Sequence, residues 1–237
     1  MELTSHFNAR LNRSSVVSSV FTEKENTFLT ANRDGTITVV TFQPKFRQNS
    51  KRITNSEITA MAYETDNNII TQNKSFLNQQ PCLHRLIIGT ATGDLIILSK
   101  NLEIITTLHR KHFDRIVKIQ FFDNNKYFIT ASYDCSLKIF DSSTYEYISS
   151  FYEHQSWITD FSISPNEKTF ITSCSDQKLR LFDIKKKRCI AIIGPFPFVP
   201  TTVLFHPGGK HYFIGFTNGV VACYKLKGAK KVLSVQL

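Results

Sequence analysis

One phrase occurs twice in this chain, and nothing else constrains its fold as strongly. Residues 116–141 read IVKIQFFDNNKYFITASYDCSLKIFD, and residues 158–183 read ITDFSISPNEKTFITSCSDQKLRLFD. His112, Asp134 and Phe140 stand 42 positions before His154, Asp176 and Phe182. Self-similarity at a fixed period of this length marks a repeat architecture, in which no single unit buries its apolar surface alone. Within a unit the apolar positions alternate along short runs: Ile116 to Phe122, Tyr127 to Ser132, Ser136 to Phe140 and Tyr147 to Phe151. Alternation in segments rich in Ile, Phe, Tyr and Thr predicts strands, so each unit is expected to be a four-stranded antiparallel meander.

The remainder of the chain is variation on this unit. Residues 1–13 are polar and weakly patterned and are expected to form an N-terminal arm or an extra edge strand. A first unit spans 14–56, with Asp34 and Gly35 in its second turn. A second spans 57–112 and carries an Asn- and Gln-rich insertion at 65–82, because Thr92 lies 42 before Asp134 but 58 after Asp34. The third and fourth units are 113–154 and 155–198. A fifth, 199–237, has Asn218 and Tyr224 at the Asp and aromatic positions. The fold class is all-β.

The pair Glu153–His154 before the first strand, Asp176 in the second turn and Phe182–Asp183 closing the third strand resemble the signature of the WD-repeat (WD40) β-propeller family. Phe140–Asp141 fits it as well, and Lys111–His112 more loosely. The resemblance implies a propeller of about five four-stranded blades, each tied by a buried set of His, Ser or Thr, Asp and Trp. On this sequence the set falls on His112, Ser132 and Asp134 in one unit, and on His154 and Asp176 in the next, with Cys174 in the Ser position. Phe stands for Trp in both. Propellers of this family usually close with six to eight blades. Five units therefore imply either an unusually small ring or, as favoured here, an open one completed by a partner, because uncovered strand edges invite association.

In a meander the first and third turns lie at one end of the blade and the second turn at the other. Lys45, Arg47, Lys51 and Arg52, then Lys185, Lys186, Lys187 and Arg188, then Lys225, Lys227, Lys230 and Lys231 are all expected in third turns. These twelve cations exceed the net charge of +10, so the positive excess is concentrated on one end. Lysines in exposed turns are ordinarily solvated, but a one-sided basic face attracts RNA or an acidic protein. At the opposite end Arg33, Tyr133, Ser175 and Thr217 precede the second-turn Asp or its equivalent, and Arg115 and Trp157 follow the repeat His. The family resemblance implies that such positions ring a channel mouth and bind peptides, and Trp, Tyr and Arg are the residue types enriched at binding hot spots.

No catalytic set, cofactor site or metal site is expected. The His, Ser and Asp within a unit are accounted for by the repeat. His109 and His112 with Cys82 or His84 form no closed ligand set, and no glycine-rich phosphate loop is present. Five cysteines without CxxC spacing, no signal peptide in MELTSHFNAR and no long apolar run point to an intracellular protein of the cytoplasm or nucleus without a membrane span. The expected function is a non-catalytic scaffold binding other protein subunits, one of them completing the propeller. The alternative is an RNA-associated subunit bound through the basic end.

Overall fold

The computed structural model describes residues 14–22, 27–42, 47–64 and 85–236. They form five antiparallel four-stranded sheets, each ordered as the chain runs. Blade 1 holds β1 (Val16–Thr22), β2 (Thr27–Asn32), β3 (Thr36–Thr41) and β4 (Arg47–Arg52). Blade 2 holds β5 (Ile58–Tyr63), β6 (Leu86–Thr90), β7 (Leu95–Leu98) and β8 (Ile104–Leu108). Blade 3 holds β9 (Ile116–Phe122), β10 (Tyr127–Ser132), β11 (Leu137–Asp141) and β12 (Tyr147–Phe151). Blade 4 holds β13 (Ile158–Ile163), β14 (Thr169–Cys174), β15 (Leu179–Asp183) and β16 (Arg188–Ile193). Blade 5 holds β17 (Pro200–Phe205), β18 (His211–Phe216), β19 (Val220–Lys225) and β20 (Lys231–Gln236). The arm at 1–13, the insertion at 65–82, Lys45, Cys82 and His84 lie outside the described residues.

The core sits between blades rather than within them. Ile37, Ile58, Leu86 and Leu98 pack together at the first junction, and Ile87, Ile97, Ile116, Phe128 and Phe140 at the second. Ile129, Phe151, Phe161, Phe170 and Phe182 fill the third junction, and Ile171, Leu179, Val203 and Tyr212 the fourth. A small twisted sheet has two apolar faces, so each blade needs a neighbour on both sides. The first strand of every blade carries an irregularity at one repeat position, around Val17, Thr59, Val117, Thr159 and Thr201. Two of these bulges stitch neighbours together. The Thr59 hydroxyl donates to Ile116 O at 2.6 Å, and that of Thr159 to Pro200 O at 2.7 Å.

The second turns repeat as closely. Gly35, Gly93, Cys135, Gln177 and Gly219 occupy one register position, and all five have positive φ. At Gly35 and Gly93 a Cβ would also come within 2.1 Å of Thr54 O and His112 O, so close backbone approach and the left-handed conformation both call for glycine there.

The blades form a row. Contacts join β1 to β5, β5 to β9, β9 to β13 and β13 to β17, and among the described residues no comparable contact joins β17 back to β1. The two end faces show the consequence. Phe21, Phe28 and Val40 are the blade 1 equivalents of Phe121, Phe128 and Phe140, which are packed against blade 2; of these Phe21 is 52% exposed, while Phe28 is half-buried and Val40 buried. On blade 5, Leu204, Phe213, Cys223 and Leu233 form a ladder row across all four strands. The same row in blade 4 contains Ile171 and Leu181, which blade 5 covers; on blade 5 itself Leu204 and Leu233 are each 59% exposed.

One placement corrects the sequence reading. Arg47, Lys51 and Arg52 are not in a third turn but in β4, whose every residue is exposed. An outermost strand is paired on one edge and needs no apolar face, so its polar sequence gave no alternation to detect.

Candidate interaction surfaces

Two buried histidines tie the second turns to the sheets, by different chemistry. In blade 3, His112 Nδ1 lies 2.9 Å from Asp134 Oδ2 and Nε2 lies 2.7 Å from Thr130 Oγ1. Asp134 also accepts the Phe113 N–H, the Ser136 N–H and the Ser136 hydroxyl. Burial pushes the His112 pKa below its ordinary value, only partly opposed by Asp134. Burial alone would raise Asp134, but its hydrogen bonds, His112 foremost, hold the carboxyl far below the usual range. A neutral imidazole donating from Nδ1 to Asp134 leaves Nε2 to accept from the Thr130 hydroxyl. Ser132 does not meet the histidine: its hydroxyl accepts the Asp134 N–H and donates to Asp114 O. The hydroxyl of this strand in contact with the ring is that of Thr130, two residues earlier, and the Ser136 hydroxyl lies 3.2 Å from Nδ1.

Blade 4 replaces the direct His–Asp contact with an arginine. Arg180 is 2% exposed, with Nη1 3.2 Å from His154 Nδ1 and Nη2 2.6 Å from Asp176 Oδ2. Because the guanidinium donates to Nδ1, His154 must carry its proton on Nε2, facing Thr172 Oγ1 at 3.1 Å. Burial and the neighbouring Arg180 charge push the His154 pKa down to about 3. Cys174 occupies the place of Ser132, and its thiol points to Ser156 O.

At the second-turn end, all six residues expected to form a peptide face share one backbone pattern. The N–H groups of Arg33, Ala91, Tyr133, Ser175 and Thr217 donate to the carbonyls of Ser15, Glu57, Arg115, Trp157 and Val199. Tyr133 and Trp157 are brought together, their ring centres 6.0 Å apart, and Trp157 is 52% exposed. Arg33 and Arg115 are joined through a residue the sequence reading missed. Glu57 Oε1 lies 3.0 Å from both Arg33 Nε and Arg115 Nη2. Glu57 stands 58 positions before Arg115, at the same repeat address, so extending the register would have found it. Ser175 bonds Ser156 instead of the aromatic pair.

The sequence profile described as "WD domain, G-beta repeat" matches residues 103–141 and 145–183. Two of the chain's repeats match WD repeats. Each matched segment opens on the outermost strand of one blade, β8 or β12, and runs through three strands of the next, so the sequence repeat and the blade are offset by one strand. The chain is also similar to the 26S proteasome regulatory subunit RPN14 of Saccharomyces cerevisiae, with 28% identity over 81 residues. That match covers 34% of this chain and 19% of the relative, well short of the relative's full length. WD-repeat propellers are in general protein-interaction scaffolds, although fold alone does not assign a partner.

The opposite end of the row is basic, though less uniformly than the sequence suggests. Lys185, Lys186 and Lys187 lie in the turn before β16, which Arg188 opens. Lys225 ends β19, Lys227 and Lys230 lie in the connection, and Lys231 opens β20. Lys126, Lys168 and Lys210, in the first turns, share this end. Blade 1 contributes less, because β4 pairs Arg47 with Thr41 but Arg52 with Thr36, beside the second turn. Lys51 Nζ is engaged by Leu102 O at 2.8 Å.

His109 stands apart from His112, with Nδ1 3.6 Å from Asp94 Oδ1.

Proposed function

We propose that this WD-repeat chain is a non-catalytic scaffold subunit of a larger intracellular assembly, in the cytoplasm or nucleus, and that another protein covers its terminal blades. The observation that carries this reading is the blade 5 face of Leu204, Phe213, Cys223 and Leu233: the face that every earlier blade buries against its successor is here left to solvent. Terminal units of repeat arrays ordinarily carry a polar outer face, so an apolar one marks an interface. The similarity to a protein named as a regulatory subunit of the 26S proteasome supports subunit status as a class. Arg33, Arg115, Tyr133 and Trp157 supply a second contact for a peptide segment, with Trp157 as its anchor.

RNA binding is the second reading, supported by the lysines of the third turns in blades 4 and 5. Reversing the charge of Lys185 to Arg188 separates the two: loss of bound RNA with partner recovery unchanged favours a role for RNA at that end alone. Tagged chain recovered from its own cells, followed by cross-linking, tests the leading reading. Partner cross-links should map to β19 and β20 and vanish in Leu233→Glu/Val235→Glu. Trp157→Ala should weaken a peptide partner by about 2 kcal/mol or more without lowering the melting temperature. Recovery of the same partners by the double variant would refute the blade 5 interface.

A further inference from the structure

At the first three junctions between blades, one residue position stands over the outer rim at the third-turn end. Leu102, Tyr145 and Lys187 each stand two residues before the ladder partner of the third strand's aromatic position, namely Ile104, Tyr147 and Cys189. All three are left-handed, with φ of 58°, 61° and 52°. Leu102 is buried in the core between blades 1 and 2. Tyr145 packs on the core between blades 2 and 3, its hydroxyl 3.3 Å from Arg85 Nη1. Lys187 is exposed, and the groove between blades 3 and 4 stays open at about 730 Å³.

The walls of this groove are chemically specific. Phe122, Tyr127, Ile139, Ile148 and Ile184 make an apolar floor. Ser149 belongs to the same wall, as the outermost member of the row Ile129, Ile139, Ser149; it is 7% exposed, and its buried hydroxyl has no hydrogen-bond partner among the described residues. An unmet buried hydroxyl is uncommon and calls for a partner. The rim carries Lys168, Lys185, Lys186 and Lys187, with Lys126 above Tyr127. Against them stand Asp123, Glu167 and Asp183, of which Glu167 already accepts the Asp123 N–H and Asp183 the Lys186 N–H.

We infer that this groove binds an extended acidic segment of another protein, anchored by one large apolar side chain. The anchor takes the room that Tyr145 fills one junction earlier. Acidic residues on either side of it meet Lys168, Lys185 and Lys187, and a donor of the segment satisfies Ser149 Oγ. An apolar floor beneath a basic rim favours such a peptide over RNA, whose phosphates would meet only the rim. The site is separate from the blade 5 face and from the Trp157 end, so it stands or falls independently of them.

The test uses the full chain and fluorescein-labelled heptapeptide pools, with Leu, Phe, Tyr or Trp at the centre and Asp or Glu at every flanking position. Fluorescence anisotropy should show saturable binding, weakened about tenfold or more when Asn and Gln replace the acids. Lys187→Tyr, which supplies the side chain that fills the neighbouring junction, should weaken binding by about tenfold or more and leave the melting temperature unchanged. Ser149→Ala should weaken the peptide while stabilising the free chain, since it removes the unmet hydroxyl. Lys168→Glu/Lys185→Glu offers an independent charge test should Lys187→Tyr disturb the turn. The inference is overturned if no acidic pool binds saturably, if neither Lys187→Tyr nor the double variant weakens binding, or if polyuridylate binds the groove residues and displaces the peptides from both wild type and Lys187→Tyr alike.

Discussion

His112 and His154 occupy the same place in consecutive blades yet hold opposite tautomers, because the residue at the Nδ1 side is a carboxylate acceptor in one and a guanidinium donor in the other. Nitrogen chemical shifts of the two rings should therefore report Nδ1–H for His112 and Nε2–H for His154; identical tautomers would contradict the Arg180 bridge. Both rings are neutral in the fold but titrate near pH 6.5 when unfolded, so the unfolded chain takes up protons that the folded one excludes. Stability should be full above about pH 6.5 and fall as the pH drops below it, His154 contributing a slope of up to about 1.4 kcal/mol per pH unit down to about pH 3 and His112 adding in the same direction. Urea melts between neutral and mildly acidic pH check this, and His154→Gln should flatten the slope. Asp176→Asn would leave Arg180 buried without its counter-ion and should cost about 3–5 kcal/mol, much of it recovered when Arg180→Met is added. Sequence reading located His112, Asp134, His154 and Asp176, because the period carries them. It chose Ser132 where the ring meets Thr130, since the two hydroxyls stand two residues apart on one face of β10 and alternation does not tell them apart. Arg180 was invisible because the alternation of β15 gives no sign that a charged residue is buried there.

Strands with an apolar alternation were legible, the outer β12 (Tyr147–Phe151) among them, and the wholly polar β4 was not. β9 and β10 have the limits that their apolar runs predict, whereas β4, RQNSKR, has no apolar residue and was read as a turn. The physical difference is burial: β5 and β6 are sandwiched between neighbouring blades, while β4 and β20 expose every described residue. The interruption of blade 2 is closed by its own elements. Glu64 and Arg85 pair twice, at 2.9 and 3.0 Å, and Glu64 N donates to Arg85 O at 2.9 Å, so the β5–β6 hairpin is clamped on both sides of residues 65–84. Arg85 also reaches Ser142 O and the Tyr145 ring of blade 3. Burial works against the Arg85 charge, but Glu64 and Tyr145 outweigh it and keep the guanidinium firmly protonated. Replacing 65–84 with a two-residue Asn-Gly turn should leave the melting temperature within a few degrees of the parent. Arg85→Ala, by contrast, should destabilise by about 3 kcal/mol or more, because it strips Glu64 of its partner and unseats Tyr145. Thermal melts of the two variants give the comparison, and the reverse ranking would show that the clamp does not carry the hairpin.

At the scale of the whole molecule, the feature that matters is that five blades stand in a row whose last apolar face, on blade 5, exposes Leu204 and Leu233. The count of five was legible from the period; the uncovered face of blade 5 was legible only as an expectation, because whether an end is buried depends on what stands beside it. The Lys118–Asp160–Thr202 chain shows the same logic inside the row. Lys118 Nζ donates to Asp160 Oδ1 at 2.8 Å, and Thr202 donates to Asp160 Oδ2 at 2.6 Å, one side chain from each of three successive blades. The last of these has no successor among the described residues. Sedimentation velocity of the isolated chain over a range of concentrations, beside Leu233→Glu/Val235→Glu, tests the open row most directly. The account predicts concentration-dependent association of the wild type, abolished in the double variant with the melting temperature unchanged. A wild type that stays a monodisperse, cooperatively melting, protease-resistant monomer at every concentration would contradict it.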